Sequence, residues 1–311
     1  GASGAVLVAG STAALDLTKS LSSAITAEFT GLVITSTLQG EPAGINGLCT
    51  GAVDIAFITS EASADLWPGC TEAHIEPMAI PVGGRPVVLV ANAAADYLAC
   101  LTPDEIAAAA TTDAASWDQV NPSFGTAPVT VLAPPASNNL NDLLVRLTAG
   151  ANMFLRSDVI ENADPLYRAA AVANVEGAIT FMDWNDYLRV VDNGQQGIQL
   201  VSVNDGADCI APDEAAFQAG TYPLWEPVTL LVNPISLTKP AVQSALWYLF
   251  SDRNFNLLSG ANLFGLAFTE LAPLRYNLQD AFVAAEQAAA DAAAAAAEAT
   301  PEATAEATPA S

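Results

Sequence analysis

A strand that turns through glycine into a hydroxyl-capped helix is the feature of this chain that most restricts its fold. The apolar run at residues 5–9 is followed by Gly10, Ser11 and Thr12, after which a helical pattern opens with leucines on one side. First-turn N–H groups lack acceptors within a helix and lie at the positive end of its dipole, so such a turn suits a small anion. An ordinary helix cap explains the same residues, and the motif alone favours that interpretation.

Strand and helix signals alternate up to about residue 275. Short runs rich in Val, Ile and Leu predict buried strands at residues 5–9, 32–38, 53–58, 78–82, 86–92, 129–132, 176–181, 198–203 and 227–233. Capped or amphipathic segments predict helices at residues 12–29, 43–51, 103–110, 139–149 and 239–250. This alternation predicts an α/β fold with mostly parallel sheets.

Composition excludes several function classes. The 311 residues are 52% hydrophobic and carry a formal net charge of −25. Such a charge argues against partners rich in phosphate, namely nucleic acid and anionic lipid surfaces, and no run has the character of a membrane span. No Walker, dinucleotide or Gly-x-Ser-x-Gly motif is present, and a single histidine, His74, argues against a zinc site. We therefore predict a protein that is not an enzyme and that has no cofactor or metal.

Four cysteines indicate the compartment. Cys49, Cys70, Cys100 and Cys209 stand at long spacings, with no Cys-x-x-Cys pair. An even number at such spacings favours two disulfides and an oxidising environment, which predicts an extracytoplasmic location: periplasm, cell surface or secreted. Three pairings are open, and among them a Cys49–Cys70 bridge would close a loop within one region.

The C-terminal part differs in composition from the rest. Residues 276–299 are rich in alanine with Glu and Gln, which predicts a solvent-exposed helix. Residues 300–311 contain Pro, Thr, Ala and Glu without core-forming side chains, which predicts a disordered tail.

Four stretches of the chain carry a family resemblance. They are residues 10–13 with their following helix, residues 44–56 with Gly-Ala-Val-Asp-Ile-Ala, residues 101–122 with Leu-Thr-Pro-Asp-Glu-Ile and Trp-Asp-Gln-Val-Asn-Pro, and residues 209–233 with Gly-Thr-Tyr-Pro-Leu. Together they resemble the phosphate-binding proteins of bacterial phosphate ABC importers, which have the type II periplasmic-binding fold. The resemblance covers residues 4–270, and the combination is more specific than any single stretch.

The resemblance implies two α/β lobes with a hinged cleft between them. Lobe one would comprise residues 1–91 and 229–275, and lobe two residues 92–228, with the hinge near residues 90–92 and 228–231. Ligand binding would close the lobes, a change that an importer can read. The resemblance also implies the pairings Cys49–Cys70 and Cys100–Cys209.

In the first lobe, the resemblance implies a ligand site that departs from the family pattern. Ser11 and Thr12 match the family's first hydroxyl element. Glu41 falls near a position where the family has serine, and a carboxylate there would repel phosphate unless it points away or is protonated. Thr59 and Ser60 match the third element, from which the family's charged residue is missing.

The second lobe departs further. The family's Arg-x-x-x-Ser-Gly-Thr element becomes a segment in which Pro134 replaces the arginine, while Ser137, Asn138 and Asn139 remain as a helix cap and as amide donors. Arg85 is the one compensating cation that the sequence offers, although a solvated surface arginine is the simpler interpretation. Charge-assisted hydrogen bonds contribute about 1.5–3 kcal/mol against about 1 for neutral ones, so phosphate binding should be weakened.

The sequence therefore predicts an extracytoplasmic solute-binding protein that captures phosphate or another small oxyanion for the permease of an ABC importer. Two alternatives stay open. In the first alternative, the pocket binds a neutral or cationic ligand, and the presence of Glu41 favours this hypothesis. Or the fold serves as a structural protein of the cell surface or envelope, which the altered site and the tail favour. Asp183 and the aromatic residues near it follow a predicted strand, and we interpret them as packing residues.

Overall fold

In the computed structural model, which describes residues 3–62, 67–150 and 152–298, the strands join into one twelve-stranded sheet flanked by helices. The strands are β1 (Ser3–Gly10), β2 (Gly31–Thr37), β3 (Ile55–Ile58), β4 (Met78–Asn92), β5 (Cys100–Leu101), β6 (Thr130–Ala133), β7 (Ile160–Glu161), β8 (Ala178–Asp183), β9 (Ile198–Asn204), β10 (Cys209–Ile210), β11 (Trp225–Val232) and β12 (Phe264–Gly265). The helices are α1 (Leu15–Glu28), α2 (Glu41–Cys49), α3 (Pro68–Glu72), α4 (Pro103–Thr111), α5 (Trp117–Val120), α6 (Asn139–Thr148), α7 (Pro165–Asn174), α8 (Trp184–Asp192), α9 (Glu214–Ala219), α10 (Pro240–Leu249), α11 (Asn256–Gly260) and α12 (Phe268–Glu298).

Two parallel portions of the sheet are joined by antiparallel strands. The main path runs β2-β1-β3-β11-β4-β8-β6-β7. β1 is parallel to β2 and β3, and β6 is parallel to β8 and β7. β11 is antiparallel to β3 and β4, and β4 is antiparallel to β8 and β9. The predicted α/β class is confirmed, with β4 and β11 crossing between the parallel portions.

The prediction of two strands at 78–82 and 86–92 is wrong, because β4 continues through both. Its first part pairs with β11 and its second part, from Val87, pairs with β8 and β9. A Cβ atom on Gly84 would lie 2.3 Å from the ring of Trp225, and one on Gly83 would lie 2.1 Å from the carbonyl oxygen of Phe264. The glycines therefore permit close packing within a continuous strand instead of ending it.

Two hydrophobic cores lie on either side of this crossing. The first includes Val82 and Val228, and the second includes Val87 and Leu224. The change from one core to the other thus occurs between Val82 and Val87 along β4. It is here, between the cores, that a cleft can form.

One disulfide lies near each of the two cores. Cys49 is bonded to Cys70 within a small cluster beside the first core, and Cys100 is bonded to Cys209 across β5 and β10, which both pair with β9. These are the pairings that the family resemblance implies.

Short helices escaped prediction, whereas the C-terminal helix is longer than predicted. α7 and α9 are each capped by an aspartate, Asp164 or Asp213, whose side chain accepts a first-turn N–H. α12 begins at Phe268, ahead of residue 276, and buries Leu271 and Leu278 in the first core. The predicted tail at residues 300–311 lies outside the described residues. Within the described ranges, every helix is too short or too polar to cross a lipid bilayer.

Candidate functional site

A cavity of about 350 Å³ lies between the two cores. Its wall includes Thr12 from the first half, Ser137, Asn138 and Asn139 from the second, and Arg85 from β4, the strand that crosses between them. The structure therefore brings together five of the nine residues that the sequence assigns to the site.

The first wall of the cavity is the turn after β1. Gly10 has φ +107°, and a Cβ atom there would lie 2.1 Å from the carbonyl oxygen of Phe57, so glycine is required. Ser11 donates its N–H to that oxygen at 2.8 Å, and its Oγ accepts from the N–H of Ala13 at 3.3 Å. Ser11 is thus a helix cap, whereas Thr12 lines the cavity and begins a 3-10 turn that leads into α1. The N–H of Thr12 has no acceptor within that helical turn.

The second wall is the start of α6. Asn138 caps this helix because its Oδ1 accepts from the N–H of Leu140 at 2.9 Å. Asn141, which is buried, donates from Nδ2 to the carbonyl oxygens of Pro134 and Pro135, both at 3.2 Å, and so fixes the preceding loop. The N–H of Asn139, the first residue of the helix, has no intrahelical acceptor.

The cation at the cavity is not free. Arg85 donates from Nε to Oε2 of Glu226 at 2.8 Å, and its Nη2 contacts the same oxygen. Arg146, from α6, donates from Nη2 to the other oxygen, Oε1. Glu226 is only 5% exposed and faces Arg85 in the β11–β4 register. The interpretation of Arg85 as a solvated surface residue is therefore wrong, and the three-residue cluster carries a net charge of about +1 because Glu226 neutralises one arginine.

Two acidic side chains also line the cavity, Asp16 and Asp183. Asp183 caps α8 and accepts the N–H of Asp186 at 2.8 Å. Burial, and then the charge of Asp186, raise the pKa of the Asp183 carboxyl. Arg168 lies buried nearby, where it donates to the carbonyl oxygen of Asn162 at 2.7 Å, and its burial lowers its pKa. Asp183 is thus a wall residue as well as a packing residue.

Glu41, Thr59 and Ser60 form a separate cluster, and none of the three is among the described residues that line the cavity. Oε1 of Glu41 accepts from the N–H of Thr59 at 2.6 Å and from its Oγ1 at 2.5 Å. Oε2 accepts from the Oγ of Ser60 at 2.6 Å and from its N–H at 3.4 Å. Burial raises the pKa of Glu41, but the hydrogen bonds from Ser60 and Thr59 outweigh it, and the net shift is downward. The carboxylate is therefore ionised at neutral pH, and it points toward the donors of Thr59 and Ser60 and not toward a residue that lines the cavity.

The cluster lies at the same edge of the sheet as Thr12. Ser11 follows β1, Glu41 follows β2 after a short turn, and Thr59 follows β3, and these three strands are parallel neighbours. Carboxyl ends of adjacent parallel strands meet at one edge, the usual place for ligands in α/β proteins.

A larger and more open groove, of about 650 Å³, lies between α10 and α12. Its wall includes Phe29, Trp247, Tyr248 and Phe282. None of the predicted ligand residues lines it, and it lacks the convergence of helix starts that the smaller cavity has.

Sequence reasoning missed Arg146, Glu226 and Asp16. Glu226 is separated from Arg85 by 141 positions and from Arg146 by 80, so only the strand pairing reveals the cluster. Asp16 had a local signal, because it lies in the first turn of α1, where acidic residues are common.

Comparison with known proteins identifies the family. The family model described as a PBP superfamily domain matches residues 1–253, and the chain belongs to this family. Curated relatives are Protein SphX of Synechocystis, 22% identical over 223 residues, and Protein SphX of Synechococcus elongatus, 24% identical over 216 residues. Each match covers 68% of this chain but 65% and 63% of the respective relative, so the chain spans just under two thirds of their length.

Solved structures share the fold. A possible phosphate binding protein from Planctomyces limnophilus superposes with a TM-score of 0.81 at 18% identity, covering 90% of this chain and 99% of that one. PstS from Borrelia burgdorferi gives a TM-score of 0.63 at 14% identity, covering 85% and 99%. An ABC-type phosphate transport receptor from Vibrio cholerae gives 0.59 at 15% identity, covering 84% and 99%.

Proposed function

We propose that this PBP-superfamily protein captures a small oxyanion, with phosphate as the first candidate, in the cleft between its two cores. The observation that carries the proposal is the convergence of two helix starts, at Thr12 and Asn139, with Arg85 around one cavity. Free first-turn N–H groups, hydroxyls and one arginine are the donors that a tetrahedral anion requires.

The similar structures support the next step of the proposal. One is described as a possible phosphate binding protein and another as an ABC-type phosphate transport receptor. We infer that this chain likewise delivers its ligand to an ABC importer, outside the cytoplasm. Its two disulfides support that location, because disulfides persist in oxidising compartments.

The charges around the cavity set the expected affinity. Arg85 shares its charge with Glu226, and Asp16 and Asp183 add negative charge to the wall. Most donors to the anion are therefore neutral groups, which contribute about 1 kcal/mol each. We expect a dissociation constant for phosphate of about 1 μM or weaker.

Calorimetric titration with phosphate, arsenate, sulfate and methylphosphonate tests the proposal. Two variants at one position locate the site. Asn139→Pro removes the N–H at the first position of α6, where proline is well accommodated, and Asn138 already has φ −84° and ψ 125°, which suit a residue before proline. Asn139→Ala keeps the N–H and removes only the side chain.

Phosphate should bind about fivefold to tenfold more weakly to Asn139→Pro than to Asn139→Ala, which is the effect of one lost hydrogen bond. Thermal unfolding without ligand should be similar in the two variants. Absence of heat with every oxyanion would reject the proposal, and equal affinity of the two variants would reject this location of the site.

A second candidate is a neutral or cationic solute. The specific observation in its favour is the acidic wall, formed by Asp16 and Asp183, together with the ionised Glu41 nearby. A thermal-shift screen with amines, sugars and divalent cations distinguishes the candidates, because a bound ligand raises the melting temperature by mass action. A rise with an amine and none with phosphate would favour the second candidate.

A further inference from the structure

Glu41 is held in the way that a bound anion is held. Four donors from two consecutive residues converge on its carboxylate, namely the N–H and the hydroxyl of Thr59 and of Ser60. Each carboxylate oxygen accepts one N–H and one hydroxyl. This donor set would suit the oxygens of a free oxyanion equally well.

The backbone fixes the carboxylate at this place. Glu41 is the first residue of α2, and the N–H of Gly40 before it donates to the carbonyl oxygen of Gly10 at 3.0 Å. One turn later, a Cβ atom on Gly44 would lie 2.5 Å from the Cα of Gly10, so α2 packs tightly against the end of β1. Glu41 is therefore presented to the end of β3 by packed secondary structure and not by a loose loop.

No cation in the described part of the chain forms an ion pair with Glu41. Within the described residues, the ion pairs involve other carboxylates, among them Glu226, Asp54 and Glu28, and none involves Glu41. Its hydrogen bonds come from neutral groups, so a full negative charge remains at the sheet edge shared with Thr12. An anion that reached this sheet edge would meet both this charge and a set of donors that are already in use.

We propose that Glu41 is a specificity-determining residue whose carboxylate occupies, as an internal anion, a set of donors that would otherwise bind an external oxyanion. The inference rests on the proposed function, since it identifies what limits that function. Oxyanions bind only through the remaining donors of the cavity. Ligands that do not need the Thr59 and Ser60 donors bind with an affinity that Glu41 does not reduce.

Three variants test this role by titration with inorganic phosphate. Glu41→Ser removes the carboxylate and keeps a hydroxyl, and Glu41→Gln keeps the size and removes the charge. Glu61→Gln is the matched control, because it removes the same charge from an exposed residue next to Ser60. We expect phosphate to bind about 10- to 100-fold more tightly to Glu41→Ser than to the native protein, since a neighbouring like charge is gone and donors are released. Glu61→Gln should stay within about twofold of the native protein, because exposed charges are screened.

A second readout separates binding from a merely structural role. Without ligand, Glu41→Ser should melt at a lower temperature, since it loses the hydrogen bonds between α2 and the end of β3. Phosphate should restore this loss in a dose-dependent manner and stabilise the variant more than it stabilises the native protein. A structural role alone predicts the loss without the restoration.

The outcomes distinguish this inference from the proposed function. If the native protein binds phosphate and folded Glu41→Ser binds no tighter, the inference fails and the proposed function stands. If only the variant binds, the inference stands and oxyanion capture by the native protein is rejected. If neither binds, both are rejected. Should Glu41→Ser fail to fold, Glu41→Gln decides by the same criteria.

Discussion

Glu41 and Glu226 are two internal carboxylates with opposite surroundings. Glu226 is almost fully buried between Arg85 and Arg146, so it neutralises cations and joins β11, β4 and α6. Glu41 is half-buried, and the hydrogen bonds that it accepts from described residues come from neutral groups of Thr59 and Ser60. The comparison teaches that a carboxylate paired with arginines mainly stabilises the fold. A carboxylate paired with hydroxyls and N–H groups instead occupies donors that could bind a ligand, and its negative charge is not neutralised.

Glu226→Gln should have the largest effect on stability. Loss of the charge leaves two arginines without their shared partner, and Arg85 is poorly accessible to water, so we expect a loss of about 3 kcal/mol in the free energy of unfolding. Urea denaturation measures it. Glu28→Gln, which breaks an exposed pair with Arg253, is the control and should cost less than about 1 kcal/mol. Equal losses in the two variants would remove the distinction between Glu226 and a surface carboxylate.

Arg85→Gln should have the next largest effect, and this effect is on the affinity for phosphate. If Arg85 still attracts the ligand while bonded to Glu226, its removal should weaken phosphate binding about tenfold, which corresponds to about 1.4 kcal/mol. Calorimetry on Arg189→Gln, an exposed arginine paired with Asp186, is the control and should match the native protein. Unchanged affinity of Arg85→Gln would mean that Glu226 cancels the arginine completely at the cavity.

Acid unfolding should show the smallest effect and reports on Glu41. Hydrogen bonds lower its pKa below the ordinary 4.5, so its contribution to stability is present above that value and is lost as the pH falls through the pKa of the folded state. Between about pH 5 and pH 3, the melting temperature of Glu41→Gln should therefore fall less steeply than that of the native protein.

Part of the acid sensitivity should persist in that variant. Asp54 also has a lowered pKa, because hydrogen bonds from the Leu7 N–H and then from the Lys239 and Ser236 side chains outweigh the opposing effect of burial. Its titration is independent of position 41. Identical acid profiles for the native protein and Glu41→Gln would show that the carboxylate is not held by its donors as the geometry requires.

Local patterns predicted much of the fold. Hydrophobic periodicity predicted most of the major strands and helices. The Gly10-Ser-Thr turn lies at the end of β1 and the Asn138 cap at the start of α6, as expected. The continuity of β4 was missed because the glycines at 83 and 84 look like a break in sequence, whereas packing against Trp225 and Phe264 requires them within a strand.

The candidate site was less predictable than the fold. Thr12 and Asn139 could be found because helix starts have local signals. The Arg85–Glu226–Arg146 cluster depends on pairing between distant strands, and no local pattern encodes it. The sequence indicated that Glu41 departs from the family pattern. It did not indicate which donors bind the carboxylate, because that depends on the packing of α2 against Gly10.

Amide NMR during a phosphate titration tests most directly that the cleft between the cores is the binding site. We predict that the largest shift changes occur at the N–H signals of Thr12 and Asn139, while the indole signal of Trp247 in the larger groove stays constant. Shift changes confined to the Trp247 groove, or none at saturating phosphate, would contradict the account.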